Sequence, residues 1–344
     1  MEFTILAFLV QDGVTNGAIY ALLGLALVLV FAVTRVIFIP QGEFVAYGAL
    51  TLAFLDVGRM PGTAMLLVVF GIAAFLFDLV ETRLRPGLPA LARSAAINLV
   101  LPFAIYTAAL FIVPTEPNAF VKALLTIVIV APMGLYVYRI AYRPLSDATV
   151  LVLLITSVGV HLAMMGLGLA FFGAEGFRAR PLTAGSFSVG FMPVAAQAVW
   201  IYGVTIAAMV GLYFFFEKTL LGKALRATAV NRLGARLVGV RTQLTGGTAF
   251  VLAATIGAVS GVLIAPITTV YYDTGFLIGL KGFVAAIIAG LSSFPVTALA
   301  AIGVGLVEAL ASFYASNFKE IIVFTLIIPV LIWRSLTTDH HEDD

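Results

Sequence analysis

Val14 to Val33 reads VTNGAIYALLGLALVLVFAV, a run of 20 residues without a single charge. At 1.5 Å per residue, a helix of about that length matches the hydrocarbon core of a bilayer. No water is present there to bond free backbone groups, so the run must be helical. The same reading extends to Ser94–Val113, Val194–Phe216 and Leu244–Tyr272, which are uncharged, and to Ala148–Ala174, whose one titratable group is His161. Shorter or interrupted candidates are Phe44–Leu55, Thr63–Phe77, Ala123–Tyr138, Gly282–Phe313 and Ile321–Trp333. The expected fold is an all-α polytopic membrane protein, a bundle of about nine to eleven transmembrane helices.

Composition excludes the soluble classes. The chain is 62% hydrophobic and 10% charged, with a mean hydropathy of +1.13, far from a globular domain. No water-facing stretch reaches domain length, so residues 1–344 read as one membrane domain. Glu2 and Asp12 stand where a signal peptide carries its basic region, and no A-x-A site follows, so the first helix is expected to remain. The absence of cysteine removes disulfides and thiolate metal sites. A net charge of +2 is too small to suggest a nucleic-acid partner.

The distribution of charge says more than its sum. Alternating the chain through its spans from an external Glu2 and Asp12 collects 12 cations on one side: Arg35, Arg83, Arg85, Arg93, Arg139, Arg143 and the six from Lys218 to Arg241. The other side holds 5, namely Arg59, Lys122, Arg178, Arg180 and Lys281. The positive-inside rule makes the first side cytoplasmic and the N-terminus external. Gly173–Pro193, rich in Gly, Ser and Pro, is then the longest external connection and reads as a shaped loop. Gly282–Phe313 is divided by Leu291–Pro295 and is expected to cross twice, leaving a polar cytoplasmic tail at 337–344. His340 and His341 in that tail read as a solvated end, and no metal site is expected.

Between two apolar spans lies Gly222–Val240, GKALRATAVNRLGARLVGV, within a polar segment at 217–241. Val230, Leu233, Leu237 and Val240 recur at helical spacing, so one amphipathic helix is expected. Its cations suit either an interfacial helix on anionic lipid or a docking helix for a cytoplasmic partner. Ala227, Asn231 and Ala235, four apart, would give the docking reading a flat strip.

The run GKALRATAVN followed by ARLVGV resembles the cytoplasmic signature of permease subunits in branched-chain amino-acid ABC importers. Agreeing in order are Asn16–Leu27 (NGAIYALLGLAL), Tyr142–Leu145 with Leu153–Gly159 (LLITSVG), and Gly275–Pro295 (GFLIGLKGFVAAIIAGLSSFP). The resemblance implies that 217–241 forms a coupling loop on an ATPase, with Gly222, Arg226, Ala227, Asn231, Ala235, Arg236 and Gly239 at the contact. It implies a second permease subunit, two cytoplasmic ATPase subunits and a periplasmic or extracellular solute-binding protein, in a bacterial-type inner membrane. The solute implied is a branched-chain or other small amino acid, or a related amide. No phosphate-binding G-x-x-x-x-G-K-[ST] motif occurs, so ATP and Mg are expected on the partner subunits and no cofactor on this chain. Two departures stand out. Where the family usually has Asn-Phe-Ala-His-Gly, this chain has Phe38-Ile39-Pro40-Gln41-Gly42; and residues 62–113 resemble a two-helix insertion.

Polar groups within apolar spans are functional candidates because charge is costly there. Gln41, Gly42 and Glu43 follow Pro40, which breaks the helix and frees backbone groups beside a cavity. With Asn16, Tyr20 and Thr156 they are the expected solute pathway. His161 reads as an inter-helix hydrogen-bonder and Glu308 as an interfacial residue. Gly13/Gly17, Gly257/Gly261 and Gly275/Gly279, each four apart, permit close helix packing. The alternative function is a stand-alone secondary transporter or channel, with Glu308 and His161 as its ion-coupling groups. No nucleophile–base set or paired carboxylates suggest an enzyme, and no catalytic residue is expected.

Overall fold

The computed structural model describes residues 2–81, 88–189 and 192–337. Arg83 and Arg85 of the charge tally, and residues 338–344 of the polar tail, lie outside them. The described chain is helical throughout, with one short β-hairpin. Helices α1 (Glu2–Thr34) and α2 (Gln41–Asp56) are followed by α3 (Gly62–Glu81). Then α4 (Leu88–Ala95) runs through a π-turn into α5 (Leu101–Ile112), and α6 (Ala119–Val137) and α7 (Val150–Phe172) follow. Strands β1 (Ser186–Val189) and β2 (Met192–Ala195) form the hairpin, ahead of α8 (Ala196–Lys218), α9 (Leu220–Val230) and α10 (Arg232–Leu237). The chain continues with α11 (Thr242–Ile264), α12 (Thr274–Ile288), α13 (Phe294–Tyr314), α14 (Lys319–Thr325) and α15 (Ile327–Thr337). Among the described residues, 9 helical stretches are long and apolar enough to cross a membrane. The shorter α2 and α12 have 16 and 15 residues.

Helices α1, α2, α11 and α12 form the centre, while α7 and α8 show most of their surface outward. Between lipid-immersed helices there is no water to expel, so close backbone packing carries the association. Glycine supplies it at several of the central crossings. A Cβ on Gly13 or Gly17 of α1 would strike the backbone of α13 at Leu306 or Ile302. Gly257 and Gly261 of α11 admit Phe44 and Val45 of α2, and Gly275 and Gly279 of α12 admit Gly42. All three glycine pairs therefore serve the close packing their spacing suggests.

Two spans are interrupted where the sequence reads on. The apolar stretch Leu244–Tyr272 leaves its helix at Ile264, and residues 265–273 turn back into the protein before α12 begins. The loop after α7 holds that segment: Phe177 and Val270 exchange both backbone bonds (2.9 and 2.8 Å), and the Ala179 amide donates to Ala265 O (3.1 Å). Arg178 Nε donates to Pro266 O (3.0 Å) and Gln197 Nε2 to Leu263 O (2.9 Å). At the other end, residues 35–40 leave α1 with Arg35 at φ 61° and rise non-helically to Gln41. Phe38, fully buried, packs there on Phe44, Tyr142 and Phe250. Irregular backbone survives inside a membrane where protein rather than lipid surrounds it, and aromatic rings do so here.

Lys281 corrects the charge tally. It lies inside α12 and is buried, because a carboxylate of α13 waits for it, so it belongs to no external loop. Of the two crossings expected from Gly282–Phe313, α13 is long enough to be one, whereas the first part belongs to α12, a 15-residue helix that begins at Thr274. The amphipathic helix expected across Gly222–Val240 is two helices instead. Asn231 ends α9 in extended conformation and caps α10, its Oδ1 accepting from the Gly234 amide (2.8 Å). An asparagine at such a break satisfies a helix start that would otherwise have free donors.

Candidate functional site

The half-length helices meet in the interior. Gln41 Nε2 donates to Ala253 O (2.9 Å), and Ala253 is the twelfth of 23 residues in α11. His161 Nδ1 lies 3.0 Å from Glu43 Oε1, and His161 is likewise the twelfth of 23 in α7. The start of α2 therefore sits halfway along two complete spans. The start of α12 lies at the same depth, since Gly42 and Gly275 touch backbone to backbone and Phe276 stacks on His161 with ring centroids 4.5 Å apart. From this junction the helices diverge. α2 runs to Asp56, which holds Lys122 Nζ (3.2 Å) and the Arg180 amide (2.8 Å). α12 runs the other way, to a turn where Phe294 stacks on Phe216 near the end of α8 (5.5 Å).

Two helix N-termini facing one mid-depth point bring together the positive ends of two dipoles. The Gln41 and Glu43 amides donate to Phe38 O and Pro40 O (3.2 and 3.0 Å), and those of Thr274 and Phe276 to Tyr271 O and Asp273 O (3.3 Å each). Glu43, in the first turn of α2, puts its carboxylate at that point. Gln41 and Glu43 are fully buried, and Gln41 Oε1 and Glu43 Oε2 have no hydrogen-bond partner among the described residues. His161 pairs with Glu43 across α7 and α2, a partnership the sequence does not disclose. Of the remaining residues expected along the solute path, Asn16 is half-buried on α1. Thr156 is half-buried on α7, and its hydroxyl donates to Val152 O of its own helix.

Tyr20 belongs to a second buried cluster that sequence reasoning missed. Its hydroxyl donates to Glu308 Oε2, and Lys281 Nζ donates to Glu308 Oε1. Lys281 also donates to Glu320 Oε1 (3.2 Å), and its ammonium lies 5.8 Å from the centre of the Tyr20 ring. Glu308 is thus buried in an ionic network joining α1, α12, α13 and α14, not placed at an interface. The available signal was Lys281 itself, a cation within the uncharged run GFLIGLKGFVAA. Such a residue demands a counter-ion within reach.

At the end reached by α12 lies the face built by α9 and α10. Gly222 is buried against the Phe215 carbonyl, Ala235 is buried as well, and Ala227 and Asn231 are exposed, so the expected small-residue strip is not one surface. The arginines bond to this chain while Arg226 and Arg236 stay exposed. Arg226 pairs with Glu217 (2.9 Å), Arg236 with Asp147 (3.2 Å), and Arg232 donates to Ser146 O (2.6 Å). Outward stand the apolar side chains, with Val230 81%, Leu233 67% and Leu237 80% exposed. Gly239, at φ 87°, closes the segment in a conformation that suits glycine.

Residues 93–331 match the family described as branched-chain amino acid transport system / permease component. The high-affinity branched-chain amino acid transport system permease protein LivH of Escherichia coli (strain K12) is 31% identical over 215 residues, which cover 60% of this chain and 69% of that protein. The corresponding permease protein BraD of Pseudomonas aeruginosa is 28% identical over 216 residues, 61% of this chain and 70% of its own. A probable branched-chain amino acid transport permease protein LivH of Methanocaldococcus jannaschii is 30% identical over 131 residues, 38% of this chain and 42% of its own. Nine apolar spans, half-helices meeting at mid-depth and this match through most of the bundle agree, and the chain belongs to the permease-component family of branched-chain amino acid transport systems.

Proposed function

We propose that this chain is the membrane half of an ATP-driven importer for a branched-chain or other small amino acid, or a related amide, in a bacterial-type cytoplasmic membrane. The arginine-rich end faces the cytoplasm and the N-terminus faces out. ATP and Mg bind partner ATPase subunits, which seat on α9 and α10; a second permease chain completes the path, and a binding protein delivers solute outside. The observation that carries this reading is the outward apolar set of Val230, Leu233 and Leu237 at the cation-rich end. Apolar surface without a covering neighbour marks an interaction site, and Arg226 and Arg236, exposed beside it in surface pairs, add cations to the same contact.

Closure of the ATPase dimer would push on α9 and α10, which lead directly into α11. That helix carries the Ala253 carbonyl on which the start of α2 hangs. Movement there would open or close the junction of Gln41, Gly42 and Glu43, giving access from alternate sides. Tyr20, Asn16 and Thr156 complete the proposed route.

The test is coexpression with candidate ATPase subunits. Leu233→Asp with Leu237→Asp should abolish co-purification and ATP-dependent uptake while the chain still inserts. Intact assembly in that variant, or in Arg226→Glu with Arg236→Glu, sinks the docking role. Ion-driven uptake by the purified chain in liposomes without ATP would establish a stand-alone transporter instead.

A further inference from the structure

A cavity of about 1150 Å³ opens beside α10, bounded by α3, the α4–α5 helix, α6 and α11. Five arginines line it, Arg93, Arg139, Arg143, Arg236 and Arg241, against one carboxylate, Asp78. Asp78 is already shared, lying 3.7 Å from Arg139 and 3.4 Å from Arg143. Ser94 and Asn98 also donate to it, at 2.7 and 2.9 Å. Arg236 is paired with Asp147 (3.2 Å). Arg93 and Arg241 have no anionic partner among the described residues, although both border the cavity. The concentration of positive charge attracts an anion from elsewhere. Guanidinium groups suit phosphate well, because their planar forks match its oxygens.

The cavity wall is not polar throughout. Leu135, Leu244 and Val251 line it below the arginines, on helices that span the membrane. A ligand filling the space would place anionic oxygens at the guanidinium groups and hydrocarbon against those side chains. We propose that this cavity binds the phosphate headgroup of an anionic phospholipid, with the acyl chain along α6 and α11. Basic pockets between transmembrane helices recognise such headgroups. Asp78 lies on α3 and Arg93 on α4, while Arg236 and Arg241 flank the end of α10. The bound lipid therefore bridges α3 and α4 to the proposed coupling face, and its occupancy tunes how firmly α10 is held.

The shared chemistry, phosphate on arginine, also fits a soluble polyphosphate, so the test has two arms. The full-length chain is reconstituted in phosphatidylcholine nanodiscs with tracer cardiolipin, and retained lipid is read by native mass spectrometry. The same protein in detergent is titrated with pyrophosphate, and thermal stabilisation is followed. Arg93→Gln with Arg241→Gln removes two cations that have no ion pair among the described residues, so folding is expected to survive; Arg59→Gln with Arg180→Gln, at the other end, controls for net charge. Cardiolipin retention should fall about tenfold or more in the double variant and stay unchanged in the control. Pyrophosphate stabilisation lost in the same variant, without a lipid effect, would assign the phosphate to a soluble source. Equal retention and equal stabilisation in wild type and double variant would overturn the site.

Discussion

Lys281 shows how one residue can be misplaced by counting and placed by chemistry. Counted as a loop cation it supported an orientation; in the bundle it is clamped between Glu308 and Glu320. A buried pair broken on one side leaves an uncompensated charge, at a cost of about 3–5 kcal/mol. Lys281→Met should therefore lower stability by about that amount, measured by unfolding in detergent. Adding Glu308→Gln to it should recover most of the loss, since the stranded carboxylate is gone. A double variant no more stable than the single would show that the network matters by geometry rather than charge. Glu43 and His161 also meet in the interior, and their sequence positions are so far apart that only the fold joins them.

Among the elements, the half-helices are the distinctive feature, and glycine makes them possible. A Cβ on Gly42 would lie inside the Gly275 carbonyl, so the two N-termini approach as closely as backbone allows. Gly42→Val should reduce folded yield sharply, whereas Gly159→Ala on α7, with open space around it, should be silent. Size-exclusion profiles of the two variants distinguish these outcomes, and a well-folded Gly42→Val would deny the junction its tight packing. The glycine spacing was legible because four-residue repeats stack on one helix face. The break at Asn231 was not, since the pattern of Val230, Leu233 and Leu237 suits one helix equally well. Their common exposure follows from the cap, not from the period.

For the whole molecule, orientation is the open dimension that charge decides. With Lys281 inside, the cations of the second end are Arg59, Lys122, Arg178 and Arg180, joined by Lys319 just past the far end of α13, and the bias toward the α9–α10 end stands. The cysteine-free chain suits a direct check. Glu116→Cys should react with a membrane-impermeant maleimide on intact cells, and Val238→Cys after permeabilisation alone. The reverse pattern would invert the proposed topology. The sequence by itself determined the class, a range of about nine to eleven spanning helices and the family resemblance, because lipid rewards uniform apolar composition and composition is readable along the chain. Which spans stop halfway, which carboxylate meets which cation and which side of α9 and α10 faces out were decided by tertiary structure. Those depend on groups brought together from different helices, and local sequence does not encode which partners packing will supply.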